Sequence, residues 1–252
     1  MNQILIKTEN LSKSFSNAGS MQHILKNISL ELYEGDFTVI MGASGAGKST
    51  LMYALSGMDT PTLGTITFAG RKISGCSTDE LALFRRRNCG FVFQQIYLID
   101  SMSLLDNVLA AGLLVTKDKK ALTARAQELF EKAGITKEMQ KKFPTQISGG
   151  EAQRVGIVRG LINSPKILFA DEPTGALNSK TGLDVLDMLS RFHESGQSVV
   201  MVTHDMRSAR RGNRILYLKD GSILGECHLG RYQHGDMARH EKLSAFLSEM
   251  GW

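Results

Sequence analysis

The stretch "FTVIMGASGAGKST" runs from Phe37 to Thr50. Its first five residues are almost all apolar and read as a strand covered on both faces. Its end runs into "TLMYALSG", a helical pattern. Between them, Gly42, Gly47, Lys48 and Ser49 fit G-x-x-x-x-G-K-[ST] in the strand–loop–helix setting that the motif requires. Glycines let backbone N–H groups turn inward around phosphate oxygens. The helix that follows points its positive end at the same place. Lys48 is placed to neutralise β- and γ-phosphates, and the Ser49 hydroxyl to ligate Mg²⁺. The candidate cradle for ATP is therefore Gly42, Ala43, Ser44, Gly45, Ala46, Gly47, Lys48, Ser49 and Thr50. The plainer reading, a glycine-rich turn without a ligand, does not account for the strand and helix on either side.

Working outward, strands and helices alternate, which points to an α/β class. "ISLELYEG" (Ile28 to Gly35) alternates as a half-buried strand does, while "KILFAD" (Lys166 to Asp171) and "SVVMVT" (Ser198 to Thr203) read as central parallel strands. Asp220-Gly221 lies between two strand-like runs and signals a hairpin. From about Asp100 to Leu161 the pattern is helical, with Leu122, Ala126, Leu129, Phe130 and Ala133 on one face and Gly134 as a stop. This stretch reads as a helical subdomain inserted in the α/β core. "STDE" (Ser77 to Glu80) is a capping box for a further short helix, and Arg85, Arg86 and Arg87 near its end offset the helix dipole.

The 252 residues, 42% of them hydrophobic, suffice for one large domain or a domain with a sizeable insertion. A net charge of +5 suits phosphate ligands or an anionic membrane surface, and no nucleic-acid partner is expected. Cys76, Cys89 and Cys227 lack metal-ligand spacing and point to small core residues in a reducing compartment. No secretion signal is expected in "MNQILIKTEN". The longest apolar candidate, Leu104 to Val115, is too short to span a bilayer and contains Asp106 and Asn107. Any membrane role must come through a partner.

"ILFADEP" places Asp171 and Glu172 at a strand end, where ligands bind in open parallel sheets. Asp171 is placed to hold the Mg²⁺ shell and Glu172 to polarise a water aligned on the γ-phosphate. The simpler alternative is an exposed acidic turn before Pro173. A second glycine cluster, "ISGGE", opens the helical run "EAQRVGIVRGLI". Ser148 and Glu151 form a capping box there, and a capped helix start bearing Gly149 and Gly150 is also an anion site. The chain's own phosphate loop already surrounds its nucleotide, so this second site can serve the nucleotide of another subunit.

The order phosphate loop, "FVFQQ", "ISGGE", "ILFADEP" and "MVTHD" resembles the nucleotide-binding subunit of ABC transporters over residues 1 to 225. The resemblance implies a phosphate-loop ATPase core, a RecA-like parallel sheet with an antiparallel β subdomain, carrying an inserted α-helical subdomain. It implies division into residues 1–94 and 163–229 (core) and 95–162 (helical subdomain with the glycine signature); residues 230–252, beyond the resemblance, read as an amphipathic helical tail. It also implies a head-to-tail homodimer in which Ser148, Gly149 and Gly150 of one copy clamp ATP held by the other. Phe15, in "LSKSFS", takes the place of the aromatic that stacks on adenine; a strand-edge core residue is the alternative. Gln94 takes the place of the glutamine that senses Mg²⁺ and attacking water, with Gln95 the weaker candidate. His204 takes the place of the switch histidine that contacts the γ-phosphate. Asn178, in "GALNSK", stands where the family usually has aspartate; it keeps the carbonyl and loses the charge.

The short spacing of "GFVFQ", "DEPTGALNS" and "MVTHD" resembles the group of macrolide exporters, lipoprotein-release ATPases and bacitracin-type antimicrobial-peptide systems. That implies a peripheral subunit on the cytoplasmic face of the membrane, powering an integral membrane permease. The alternatives are a lipoprotein-release or cell-division type ABC ATPase, a soluble ABC-type ATPase acting on nucleic acid or ribosomes, and a regulatory module without turnover. Relatives of the soluble type usually carry two cassettes or long coiled coils, where one cassette and no sustained heptads are read here. Glu172 and His204 oppose the regulatory module. In the tail, Leu243, Phe246, Leu247 and Met250 recur at helical spacing, as in a helix packed on its own domain or docked on a partner.

Overall fold

The computed structural model describes residues 3–17 and 20–252. In chain order the elements are β1 (Ile4–Asn17), β2 (Ser20–Tyr33), β3 (Phe37–Met41), α1 (Lys48–Leu55), β4 (Leu63–Phe68), β5 (Arg71–Lys72), α2 (Thr78–Asn88) and β6 (Cys89–Val92). There follow α3 (Leu104–Gly112), α4 (Lys119–Lys132), α5 (Lys137–Gln140), a 3₁₀ turn (Pro144–Gln146), α6 (Gly149–Leu161), β7 (Ile167–Asp171) and α7 (Ser179–Glu194). The chain ends with β8 (Ser198–Thr203), α8 (Met206–Ala209), β9 (Arg214–Lys219), β10 (Ser222–His228) and α9 (Met237–Glu249). Two compact units form, one of Met1–Ala82 with Ser198–Trp252 and the other of Leu83–Gln197.

In the first unit, β3 lies between β8 and β9 and is parallel to both. Every residue of β3 and β8 is buried, which explains their unbroken apolar runs. β9 and β10 pair antiparallel about Asp220 and Gly221, both at positive φ, as the hairpin signal predicts. β1, β2, β4 and β5 build a separate antiparallel sheet. β2 begins well before Ile28, because its outer half, from Ser20 to Leu25, pairs with the C-terminal end of β1, from Lys13 to Asn17. From Ile28 to Tyr33 its residues alternate between buried and less buried, as read.

The tail helix α9 buries Leu243 and Leu247 on its own unit, with Met250 as C-cap. Its anchor is Arg239, only 3% exposed. The guanidinium donates to the carbonyls of Arg210 (2.6 Å), Leu229 (2.9 Å), Gly230 (3.0 Å) and Arg231 (3.3 Å), and to that of Gly212. Burial lowers its pKa, and the nearby Asp236 carboxylate opposes that shift. Arg239→Ala would leave these acceptors facing a void. We expect a loss of about 3 kcal/mol, seen in a thermal melt as a fall in Tm of roughly 6–12 °C.

In the second unit, β6 and β7 pair in parallel. α4 buries Leu122, Ala126, Leu129 and Phe130, and Gly134 follows at positive φ, as the periodicity predicts. α6 is buried along Val155, Ile157, Val158 and Leu161, and α7 along Val185, Leu186, Met188, Leu189 and Phe192. Arg85, Arg86 and Arg87 fall in the last turn of α2, and Ser77 and Glu80 cap its start. Among the described residues, no helix is long and apolar enough to cross a membrane. Cys89 and Cys227 are buried, whereas Cys76 is only partly so.

Candidate active site

The parallel register sets the first unit's site. Met41 of β3 is level with Thr203 of β8, so the phosphate loop and His204 leave neighbouring strands at the same height. Gly42 has no room for a side chain, since a Cβ there would overlap the carbonyl oxygen of Leu218 on β9. Gly45 and Gly47 have φ of 79° and 99°, which glycine adopts without strain. Lys48 is 8% exposed and folds back over the loop, donating to the carbonyls of Gly42 (2.9 Å) and Ala43 (2.9 Å).

The start of α1 is chemically unlike the other helix starts. It has no side-chain cap and no acidic residue in its first turn. Every other α-helix among the described residues is capped by a side-chain oxygen, from Ser77 on α2 to Asp236 on α9. A helix start with no side-chain cap and no acidic first turn suits an external anion. His204 is exposed at the end of β8. Asp205, next to it, caps α8. Burial alone would raise the Asp205 carboxyl pKa, but hydrogen bonds from Ser208 and Arg207 bring it below the usual range.

Phe15 on β1 is 45% exposed, which rules out the strand-edge core reading. The Lys13 ammonium stands 4.8 Å from its ring centroid.

In the second unit, Val92 of β6 is level with Ala170 of β7. Gln94 and Glu172 therefore each lie two residues beyond the same rung. Asp171 is 9% exposed at the strand end, and Glu172 takes φ 45°, a left-handed conformation uncommon for a residue with a Cβ. The Gly175 N–H closes this turn on the Glu172 carbonyl at 2.9 Å. Gln94 lies across Gly175, where a Cβ would sit 2.8 Å from its Nε2. Among the described residues, no group of three His, Cys, Asp or Glu side chains could hold a metal ion. Mg²⁺ bound through a hydroxyl, one carboxylate and phosphate oxygens needs no such cluster.

The start of α6 carries the capping box read for it. Ser148 N donates to Glu151 Oε2 at 2.7 Å and Glu151 N to Ser148 Oγ at 3.3 Å, a complete capping box. These bonds from Ser148, backbone first, hold the Glu151 carboxyl below its usual pKa. Ser148 and Gly149 are exposed, while Gly150 is buried. A Cβ on Gly150 would overlap the Thr181 methyl, so this glycine also serves close packing on α7. Asn178 caps α7, accepting from both Thr181 N and Thr181 Oγ1 at 3.0 Å.

Residues 25–175 match the family model described as ABC transporter. An uncharacterized ABC transporter ATP-binding protein of Methanocaldococcus jannaschii is 42% identical over 220 residues, 87% of this chain and 98% of that protein.

The chain belongs to the ABC transporter family.

It is an ATP-binding subunit of that family and an ATPase. The macrolide export ATP-binding/permease protein MacB of Neisseria gonorrhoeae is 40% identical over 88% of this ABC cassette. The cassette spans only 34% of MacB. A solved structure of the ATP-binding cassette MJ0796, a dimer in a post-hydrolysis state bound to ADP and Pi, superposes with a TM-score of 0.83. It is 38% identical, covering 90% of this chain and 100% of that one. The phosphate-loop core with its antiparallel subdomain is thus the family's fold.

Some residues that shape this ABC cassette escaped the sequence reading. Gln153, 1% exposed, donates to the Phe93 carbonyl at 3.0 Å, and Arg159 donates to those of Ile96 and Tyr97, each at 2.6 Å. Together they tie the loop bearing Gln94 to α6. Nothing local marks them, since polar residues recur on any helix.

Proposed function

We propose that two copies of this ABC cassette close head to tail around ATP and that closure and hydrolysis drive a separate integral membrane permease. The cargo class proposed is antimicrobial peptides or other amphiphiles for export, and the site of action is the cytoplasmic face of the membrane. One observation carries this reading: the capped start of α6 holds Ser148 and Gly149 exposed, on a different unit from the phosphate loop. The capping box takes up the Glu151 N–H and not those of Gly149 and Gly150, from which a neighbour's anion can accept. The functional division stays at 1–94 with 163–229, 95–162 and 230–252.

Each residue has an assigned part in this proposal. Gly42 to Thr50 wrap the triphosphate, with Lys48 neutralising it, and Phe15 stacks on the base. Ser49, Gln94 and Asp171 would hold Mg²⁺, which would offset the negative charge of the triphosphate. Glu172 accepts the proton of the attacking water, and His204 donates to the γ-phosphate. Ser148, Gly149 and Gly150 cover the nucleotide of the second copy. Asn178 keeps the carbonyl oxygen that caps α7, so its lost charge leaves the helix start intact.

The test is to solubilise the tagged chain with its permease from native membranes and to measure ATPase activity with and without an amphiphilic peptide. Stimulation of several-fold is expected. Recovery of an active chain with no membrane protein bound, and no response to amphiphiles, would overturn the transport reading.

A further inference from the structure

Lys13 is a buried ammonium, and where its protons go is informative. Its side chain is 11% exposed. Lysine carries three donors and no acceptor, and burying it is costly unless each finds a partner. One goes to Asp59 Oδ1 at 2.6 Å and one to the Thr60 carbonyl at 2.8 Å. The remaining contact is the face of Phe15, 4.8 Å from ammonium to ring centroid. The cation thus rests on an aromatic ring that is itself 45% exposed.

Asp59 and Thr60 lie in the loop after α1, which ends at Leu55. Met58 N and Asp59 N both donate to the Tyr53 carbonyl within α1, at 2.9 and 3.1 Å. The same loop is stitched to β1 twice more: Thr62 N donates to the Ser12 carbonyl at 2.8 Å, and Ser14 N to Thr62 Oγ1 at 3.0 Å. A continuous set of contacts therefore runs from the Phe15 ring through Lys13 and Asp59 to the helix whose first turn forms the phosphate cradle.

We propose that Lys13 is a positioning residue for the base of ATP: clamped by Asp59 and Thr60, its ammonium holds the Phe15 ring in the stacking orientation and links the base platform to α1. This rests on the reading of Phe15 as the platform. A cation on one face also draws π density from the ring, which favours stacking of an electron-rich base on the other.

The role separates from simple structural support because it depends on the base. Tripolyphosphate offers the same anion to the loop and no base. Binding of ATP and of tripolyphosphate is measured calorimetrically for wild type, Phe15→Ala, Lys13→Met, Lys13→Arg and the Phe15→Ala/Lys13→Met double variant. Lys13→Met is expected to weaken ATP about 5- to 10-fold and to leave tripolyphosphate within about twofold of wild type. Lys13→Arg, which keeps a cation over the ring, restores most of the loss, and the double variant is no weaker for ATP than Phe15→Ala alone. If Phe15→Ala leaves the ATP-to-tripolyphosphate ratio unchanged, the platform reading fails and the inference with it. If Phe15→Ala lowers that ratio but Lys13→Met does not, the inference alone is overturned. Should Lys13→Met fail to fold, Asp59→Asn must lower the ratio in the same direction, and an unchanged ratio overturns the proposal.

Discussion

Glu172→Gln is expected to bind ATP as tightly as wild type and to hydrolyse it at least about 100-fold more slowly, the scale of losing a positioned base. The carboxylate leaves β7 at the residue after buried Asp171, in a turn held by the Gly175 N–H. Glutamine has the same length and hydrogen-bonding shape, so the φ of 45° and the turn are kept. What disappears is a group able to accept a proton from water. With closure intact and hydrolysis blocked, ATP should hold two copies together. Single-turnover kinetics gives the rate, and size-exclusion with light scattering gives the assembly. Hydrolysis at the wild-type rate would remove Glu172 as the base. A variant that stays monomeric at saturating ATP would remove the two-copy site.

Ser148→Arg should abolish turnover with little change in the nucleotide affinity of the isolated chain. Ser148 is exposed, so an arginine can be accommodated within one copy. It would stand over the exposed helix start, where the second copy's nucleotide is proposed to sit. Displacement of reacting groups by only 1 Å costs on the order of 100-fold in rate. The substitution also removes the Ser148–Glu151 capping box, worth about 1 kcal/mol. Ser148→Ala removes the same box without adding bulk, so the difference between the two isolates the blocking effect. Steady-state ATPase rates and fluorescent-nucleotide titrations, run on both variants, provide the comparison. Equal losses in the two would reduce Ser148 to a helix cap, and a large affinity loss in the monomer would contradict its role toward a partner.

Most of the secondary structure was legible because its causes are local. The capping boxes at Ser77 and Ser148 form within four residues, and both are present. β8 spans Ser198–Thr203 as its apolar run implies, and the Asp220-Gly221 turn closes β9 on β10. The exposure of Phe15 on β1 was not legible, because strand alternation does not say which face has a neighbour. The tail was open for the same reason. Its helical spacing marked an apolar stripe, but burial of Leu243 and Leu247 within their own unit depends on what lies beneath.

The order of residues along this chain was enough to establish the α/β class, the phosphate loop and the placing of Asp171, Glu172 and His204 at strand ends. Strand period, glycine geometry and helix capping act over a few neighbouring positions, and these leave a readable pattern. The three-dimensional arrangement was needed to bring Lys13 to Asp59, 46 positions away, Gln153 to Phe93, 60 away, and Arg159 to Tyr97, 62 away. It was needed as well to press Gly150 against Thr181, Gln94 against Gly175 and Arg239 into its ring of carbonyls. Such pairings depend on which surfaces meet when strands and helices pack, and no short-range preference of the chain encodes that meeting.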